Sequence, residues 1–113
     1  MCSWSLNPAN PTELIKAIQS CGINSTQLAL DPLTSDEWNL DLLTEAFESA
    51  NITICSGMMT TIGEDYSSMD SIRLTGGIRP DEHWEANQSR AKATAELART
   101  LGLNLVTFHA GFI

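Results

Sequence analysis

The stretch Leu103-Asn104-Leu105-Val106-Thr107-Phe108-His109-Ala110-Gly111-Phe112-Ile113 decides how the chain is read. Its β-branched and aromatic residues form the apolar run expected of a buried β-strand. His109 interrupts that run near its C-terminal end. A neutral imidazole is tolerated inside a protein only when its ring nitrogens find partners. In parallel α/β folds chemistry gathers at the C-terminal ends of strands, so His109 stands where a site is expected. The sequence stops two residues after Gly111, where a loop and another helix would follow.

Working outward, residues 81–101 read as a long helix capped by Asp81 and stopped by Gly102, with Ala91, Ala95 and Ala98 inward and Trp84 and Leu101 at its ends. Small inward residues let a helix lie close on a sheet. Residues 58–80 form a long connection holding Gly63, Gly76 and Gly77, with one short helix at 68–74; long ordered loops in compact domains are often functional. Residues 52–56 read as a strand ended by Gly57. Ser35-Asp36 opens a helix with an apolar stripe of Leu40, Leu43, Ala46, Phe47 and Ala50, closed by Asn51. Residues 26–31 alternate with period two, placing Thr26, Leu28 and Leu30 on one face and Gln27, Ala29 and Asp31 on the other. Asn10, Pro11 and Glu13 make a capping-box-like start for a helix carrying Leu14, Ile15, Ala17, Ile18 and Cys21, with Gly22 as its stop. Residues 2–6 are a short strand broken by Asn7-Pro8.

The predicted order is β-α-β-α-β-loop-α-β over residues 1–113 as a single domain, which implies parallel strands with right-handed crossovers. The length suits one core burying about 65% of the unfolded chain's surface. Fourteen acidic residues against six Lys and Arg give a net charge of −8. That balance argues against a nucleic-acid partner, which needs a basic patch, and against adhesion to anionic membranes. No apolar run approaches the ~20 residues of a membrane helix, and the N-terminus lacks a signal pattern. Three cysteines without CxxC spacing point to reduced thiols and a cytoplasmic location.

Two α/β architectures fit: a small complete doubly wound sheet, or the first half of a (β/α)8 barrel of about 250 residues, with four strands and three to four helices. The polar residues Gln27, Asp31, Thr107 and His109, opposite the apolar face, favour the barrel, because a central doubly wound strand is covered on both faces and is nearly all apolar. The abrupt end after His109 also reads as truncation.

The segments GEDYSSMDSIRLTGG (63–77), RPDEHWEAN (79–87) and LGLNLVTFHAGFI (101–113) resemble the sugar phosphate isomerase/epimerase family of xylose-isomerase-like TIM barrels, over the N-terminal half of such a protein. The resemblance implies a barrel that binds a divalent metal ion (Mn, Mg, Zn or Co). The metal polarises a sugar's carbonyl and hydroxyl while carboxylates shuttle a proton between carbons. It implies a small-molecule sugar or sugar phosphate as substrate. Because the family's metal ligands come from strands five to eight, it also implies no metal ligand and little activity in these residues alone. No GxGxxG, GxxxxGK[ST], HExxH or GxSxG motif occurs, which removes the usual support for nucleotide, zincin and nucleophile-elbow readings.

Four residues are candidates for substrate binding: His109, Trp4, Met58 and Glu64. His109 would hydrogen-bond a sugar hydroxyl; the competing reading is a satisfied core histidine. It corresponds in position to a zinc-binding histidine of endonuclease-IV-like relatives, but Gly57-Met58-Met59 stands where their matching histidine would be. Trp4 would stack on a sugar ring, against the commoner core tryptophan. Met58 and Met59 follow the third predicted strand, where they would line a pocket; the competing reading is that at least one of the two fills the core. Glu64 lies in the long loop; it and Asp65 point apart on an extended chain, so solvated loop charge is the competing reading. Gln27 fills a polar layer, Asp31 caps the loop before Pro32, Trp84 packs and His83 is at the surface. Two further readings are a self-associating half-barrel or small binding module that pairs exposed sheet edges, and an apurinic-site nuclease, which the acidic charge disfavours.

Overall fold

The chain turns into its first helix where the sequence supplies a cap. Asn10 is extended (φ −158°), its Oδ1 accepts the Glu13 N–H at 2.9 Å, and Pro11 holds the first helical position. Glu13 in turn accepts the Ala9 N–H at 3.1 Å, one residue before the cap. This computed structural model describes residues 1–112, and α1 spans Pro11–Ser20, burying Leu14 and Ile18. Then follow β1 (Ser25–Ala29), a short α2 (Asp31–Thr34), α3 (Leu40–Ser49), β2 (Thr53–Met58), α4 (Met69–Thr75), α5 (Trp84–Thr100) and β3 (Val106–Thr107).

The three strands are all parallel and neighbour one another in chain order, β1-β2-β3. Thr26, Leu28 and Leu30 are fully buried, as the period-two reading requires. Leu28 and Leu30 join Leu14 and Ile18 of α1, Leu43 and Phe47 of α3, and Ala98 of α5 in one core on one face of the sheet. Residues with the opposite phase, Gln27, Ala29, Met58 and Thr107, lie outside that core. Gln27 Nε2 donates to Thr107 Oγ1 at 2.9 Å across this second face, forming the polar layer expected of it.

The pairing of β1 with β2 carries a bulge: Thr26 pairs with Ile54 and Gln27 with Ser56, leaving Cys55 unpaired. The bulge reverses the alternation of β2, so Gly57 faces the core. A Cβ there would sit 2.5 Å from Leu30 Cδ1. For that reason Gly57 does not end the strand as expected; it lets β2 run on to Met58 beside Leu30.

Other expectations are corrected by local chemistry. Residues 2–6 do not form a strand. Only Cys2 bridges Gln27, and Ser3–Leu6 is a 3₁₀ turn, because the Ser3 hydroxyl turns inward to accept the Ala29 N–H at 2.7 Å and Asn7 takes a left-handed φ of 43°. The expected four strands are therefore three and one bridge among the described residues. Ser35-Asp36 does not open α3: Asp31-Pro32 starts its own turn, Asp36 leaves it at φ 58°, and Asn39 is the cap, accepting the Leu42 N–H at 3.0 Å. Asn51, at φ 54°, closes α3 as read. Asp81 lies in a 3₁₀ turn before α5 and caps nothing. The inward positions of α5 are Asn87, Thr94 and Ala98, whereas Ala95 is exposed. Residues 103–112 are not a buried strand. β3 holds two residues on the edge of the sheet, and Leu105 and Phe108 beside it are 56% and 48% exposed. Ile113 lies outside the described residues.

Candidate functional site

α4 is capped by Ser68, whose hydroxyl accepts the Ser71 N–H at 3.0 Å, and stops at Thr75, after which two glycines let distant chain approach. A Cβ on Gly76 would lie 2.8 Å from His109 Cε1 and 2.5 Å from the Ile72 carbonyl oxygen. Gly77 has φ 81°, and a Cβ there would lie 2.2 Å from the Gly111 nitrogen. The segment after β3 is thus laid directly against this turn. Ile78 N–H donates to the His109 carbonyl at 3.1 Å, and the Arg79 guanidinium donates to the Phe112 carbonyl.

Glu64 closes the arrangement. One oxygen, Oε1, accepts the Gly77 N–H at 2.8 Å and lies 2.6 Å from His109 Nδ1. The loop that carries it is fixed at three further points. Asn87, fully buried, accepts the Ile62 N–H at 2.7 Å and donates to the Ile62 carbonyl at 3.3 Å. Thr75 Oγ1 accepts the Asp65 N–H at 2.9 Å. Gly63, at φ 92°, packs so closely on the His83 ring that a Cβ would come within 2.0 Å of it.

Burial pushes the Glu64 carboxyl up, but the hydrogen bonds to His109 and from the Gly77 N–H outweigh it, and the net shift is below the usual carboxylate range. Glu64 is therefore ionised, and Nδ1 of His109 carries the proton that joins them. Nε2 has no hydrogen-bond partner among the described residues, and the His109 side chain is 34% exposed against 9% for Glu64. The ring edge meets Phe112 at a right angle, centroids 5.2 Å apart. A carboxylate that fixes the tautomer and direction of an imidazole leaves Nε2 as an acceptor aimed away from the pair, suited to a substrate hydroxyl or a proton in transit. Thr61 Oγ1, buried with no hydrogen bond in place, is a further hydroxyl beside the carboxylate. Partial burial and the charge of Glu64 raise the phenol of Tyr66, which stands 65% exposed at the loop's edge.

Of the sequence candidates, His109 and Glu64 are brought into direct contact. Trp4 and Met58 stand in other surroundings. Trp4 is 56% exposed and lines a cleft of about 220 Å³ with Trp38, Asp31 and Thr60, not the core. Met58 is half-buried at the end of β2, its sulfur 3.6 Å from the Cys2 thiol, while Met59 fills the core at 2% exposure. Asp31 holds the chain beyond β2, accepting the Thr60 hydroxyl at 2.9 Å and pairing with Arg90 at 3.4 Å. Trp84 and His83 exchange the expected roles: Trp84 is 45% exposed and His83 packs on Gly63. Sequence reasoning missed Gly77, Thr61 and Asn87; the one available signal was a polar Asn on the helical repeat of α5's inward face.

No group of three or more His, Cys, Asp or Glu among the described residues is arranged to hold a metal ion. No helix among them is long and apolar enough to cross a membrane. No protein-family model, curated protein or solved structure matches the chain.

Proposed function

We propose that these residues are the first β/α units of a (β/α)8 barrel that isomerises or epimerises a sugar or sugar phosphate at the carbon next to its carbonyl. The observation that carries the reading is the Glu64–His109 pair, 2.6 Å apart, standing just beyond the C-terminal ends of β2 and β3. The chain-ordered parallel sheet supports it, because successive barrel strands neighbour one another, and so does the core on a single face with a partly polar face opposite. In this reading Nε2 accepts the hydroxyl proton of a substrate bound at the barrel mouth. Glu64 keeps the imidazole in the accepting tautomer and steadies positive charge that develops on it. The residues present do not make up a metal site, so a divalent ion belongs to ligands on the further barrel units and no step is drawn through it here.

The test uses the product of the complete open reading frame, incubated in D₂O with aldoses, ketoses and their phosphates. Exchange of the proton on the carbon next to the carbonyl is followed by NMR. His109→Ala should slow exchange by about 10²–10⁴-fold with thermal unfolding nearly unchanged. Retained turnover with a large loss of stability would make His109 a core residue and sink the reading.

A second reading has its own observation. Leu105 and Phe108 are exposed beside the edge strand β3, a surface that two copies can cover by pairing. Light scattering distinguishes it: a strictly monomeric, well-folded 113-residue chain counts against a self-associating module.

A further inference from the structure

Only six cationic side chains stand against fourteen acidic ones in this chain, yet two of them, Arg73 and Arg79, line the same hollow. Two adjoining clefts of about 200 and 350 Å³ share Arg73, Leu74 and Arg79. Arg73, on the last turn of α4, has no hydrogen-bond or ion-pair partner among the described residues. Arg79 spends one nitrogen on the Phe112 carbonyl, which anchors its guanidinium and leaves other donors of the five free. Asp70 and Asp81 also border the hollow, but neither lies within ion-pair distance of the two arginines.

At physiological salt the net charge of −8 is screened beyond about 8 Å, so the local balance is set by the groups bordering the hollow, two guanidinium groups against the carboxylates of Asp70 and Asp81, of which only the guanidinium groups offer donors to an anion's oxygens. The hollow is adjacent to the pair described above. Gly76 lines it and touches His109, and Phe112 lines it while its ring meets the His109 ring at 5.2 Å.

We infer that Arg73 and Arg79 form a binding site for the oxyanion end of an acidic sugar, a phosphate or a carboxylate, whose hydroxyl end lies on His109. Guanidinium forks match the oxygens of either group. This rests on the sugar reading for what occupies His109, but the anion site itself is tested separately.

The 113-residue chain, ¹⁵N-labelled, is titrated at constant ionic strength with inorganic phosphate and, in parallel, with acetate, following the arginine Nε–Hε signals. Arg73 and Arg79 should shift together and saturate in the millimolar range, with Arg99 on α5 unmoved as the control. Tighter phosphate than acetate assigns a phosphate end; the reverse assigns a carboxylate. Arg73→Gln and Arg79→Gln should each weaken binding about tenfold, the scale of one charge-assisted contact, and Arg99→Gln should leave it unchanged. Shifts that never saturate, or that move Arg99 equally, overturn the inference. So does binding only to a single-stranded oligonucleotide and not to phosphate. If phosphate binds but no sugar exchanges a proton in the complete product, the anion site stands and the isomerase reading falls. If neutral sugars exchange and neither arginine variant alters the rate or the KM for phosphorylated ones, the isomerase reading stands and this one falls.

Discussion

Glu64 receives two donors on one oxygen with its side chain 9% exposed, so its charge is tied to the folded state. Its carboxyl is held below the unfolded value, which means the folded chain binds the proton more weakly than the unfolded one. The contribution to stability is therefore present above the unfolded pKa of about 4.3 and is lost as pH falls through the lower folded value. Glu64→Gln should cost about 2 kcal/mol at neutral pH, the scale of hydrogen bonds to a charged group. The difference in urea midpoint between wild type and variant should shrink below pH ~4.3; a difference that stays constant down to pH 3 would refute the coupling. Individual residues were legible where local contrast exposed them. His109 stood out because it breaks an apolar run. Glu64 was named, yet nothing near it in sequence shows that it is buried, since Gly77 and His109 arrive only through the tertiary fold. Gly77 was unreadable as a contact for the same reason: its requirement comes from the backbone at Gly111.

Elements were legible where their ends carry short-range chemistry. Asn10 and Ser68 each cap through a hydrogen bond to the residue three further on, a relation sequence alone specifies. The start of α3 was misread because two caps competed, and the Asp31-Pro32 turn used up the residues that favoured the earlier one. α5 was misread differently. Of the alanines read as its inward face Ala98 is buried, but Asn87 and Thr94 are the other buried residues, and Asn87 is buried because it satisfies both backbone groups of Ile62. Asn87→Leu, similar in size and suited to a helix, removes both bonds and strands two backbone groups. It should destabilise the protein by about 1–3 kcal/mol and accelerate amide exchange at Ile62 before that of the core strands. Exchange at Ile62 no faster than in wild type would mean the loop holds its place without α5.

For the molecule as a whole, the sequence established parallel β/α units and the faces of β1, but not the order in which the strands pair. Alternation cannot give that order, because pairing partners are set by crossovers and core packing. The resulting sheet is uneven. β1 and the buried Leu28 and Leu30 lie over the full helical layer, while β3 has two residues and one neighbour. Native-state hydrogen exchange should follow this gradient, with amides of Val106 and Thr107 opening at least about a hundredfold faster than that of Leu28; uniform protection across the three strands would contradict it. The unpaired Cys55 has a corresponding genetic consequence. Trimming that single codon would straighten the ladder and keep every later pairing, Ser56 with Gln27 and Gly57 with Leu28, so the space beside Leu30 would still meet only a hydrogen atom. Adding a codon beside it is the damaging change, because Ser56 would then take the place of Gly57 opposite Leu28 and turn the Met58 thioether toward Leu30, so this strand should survive the loss of its spare residue and not a gain.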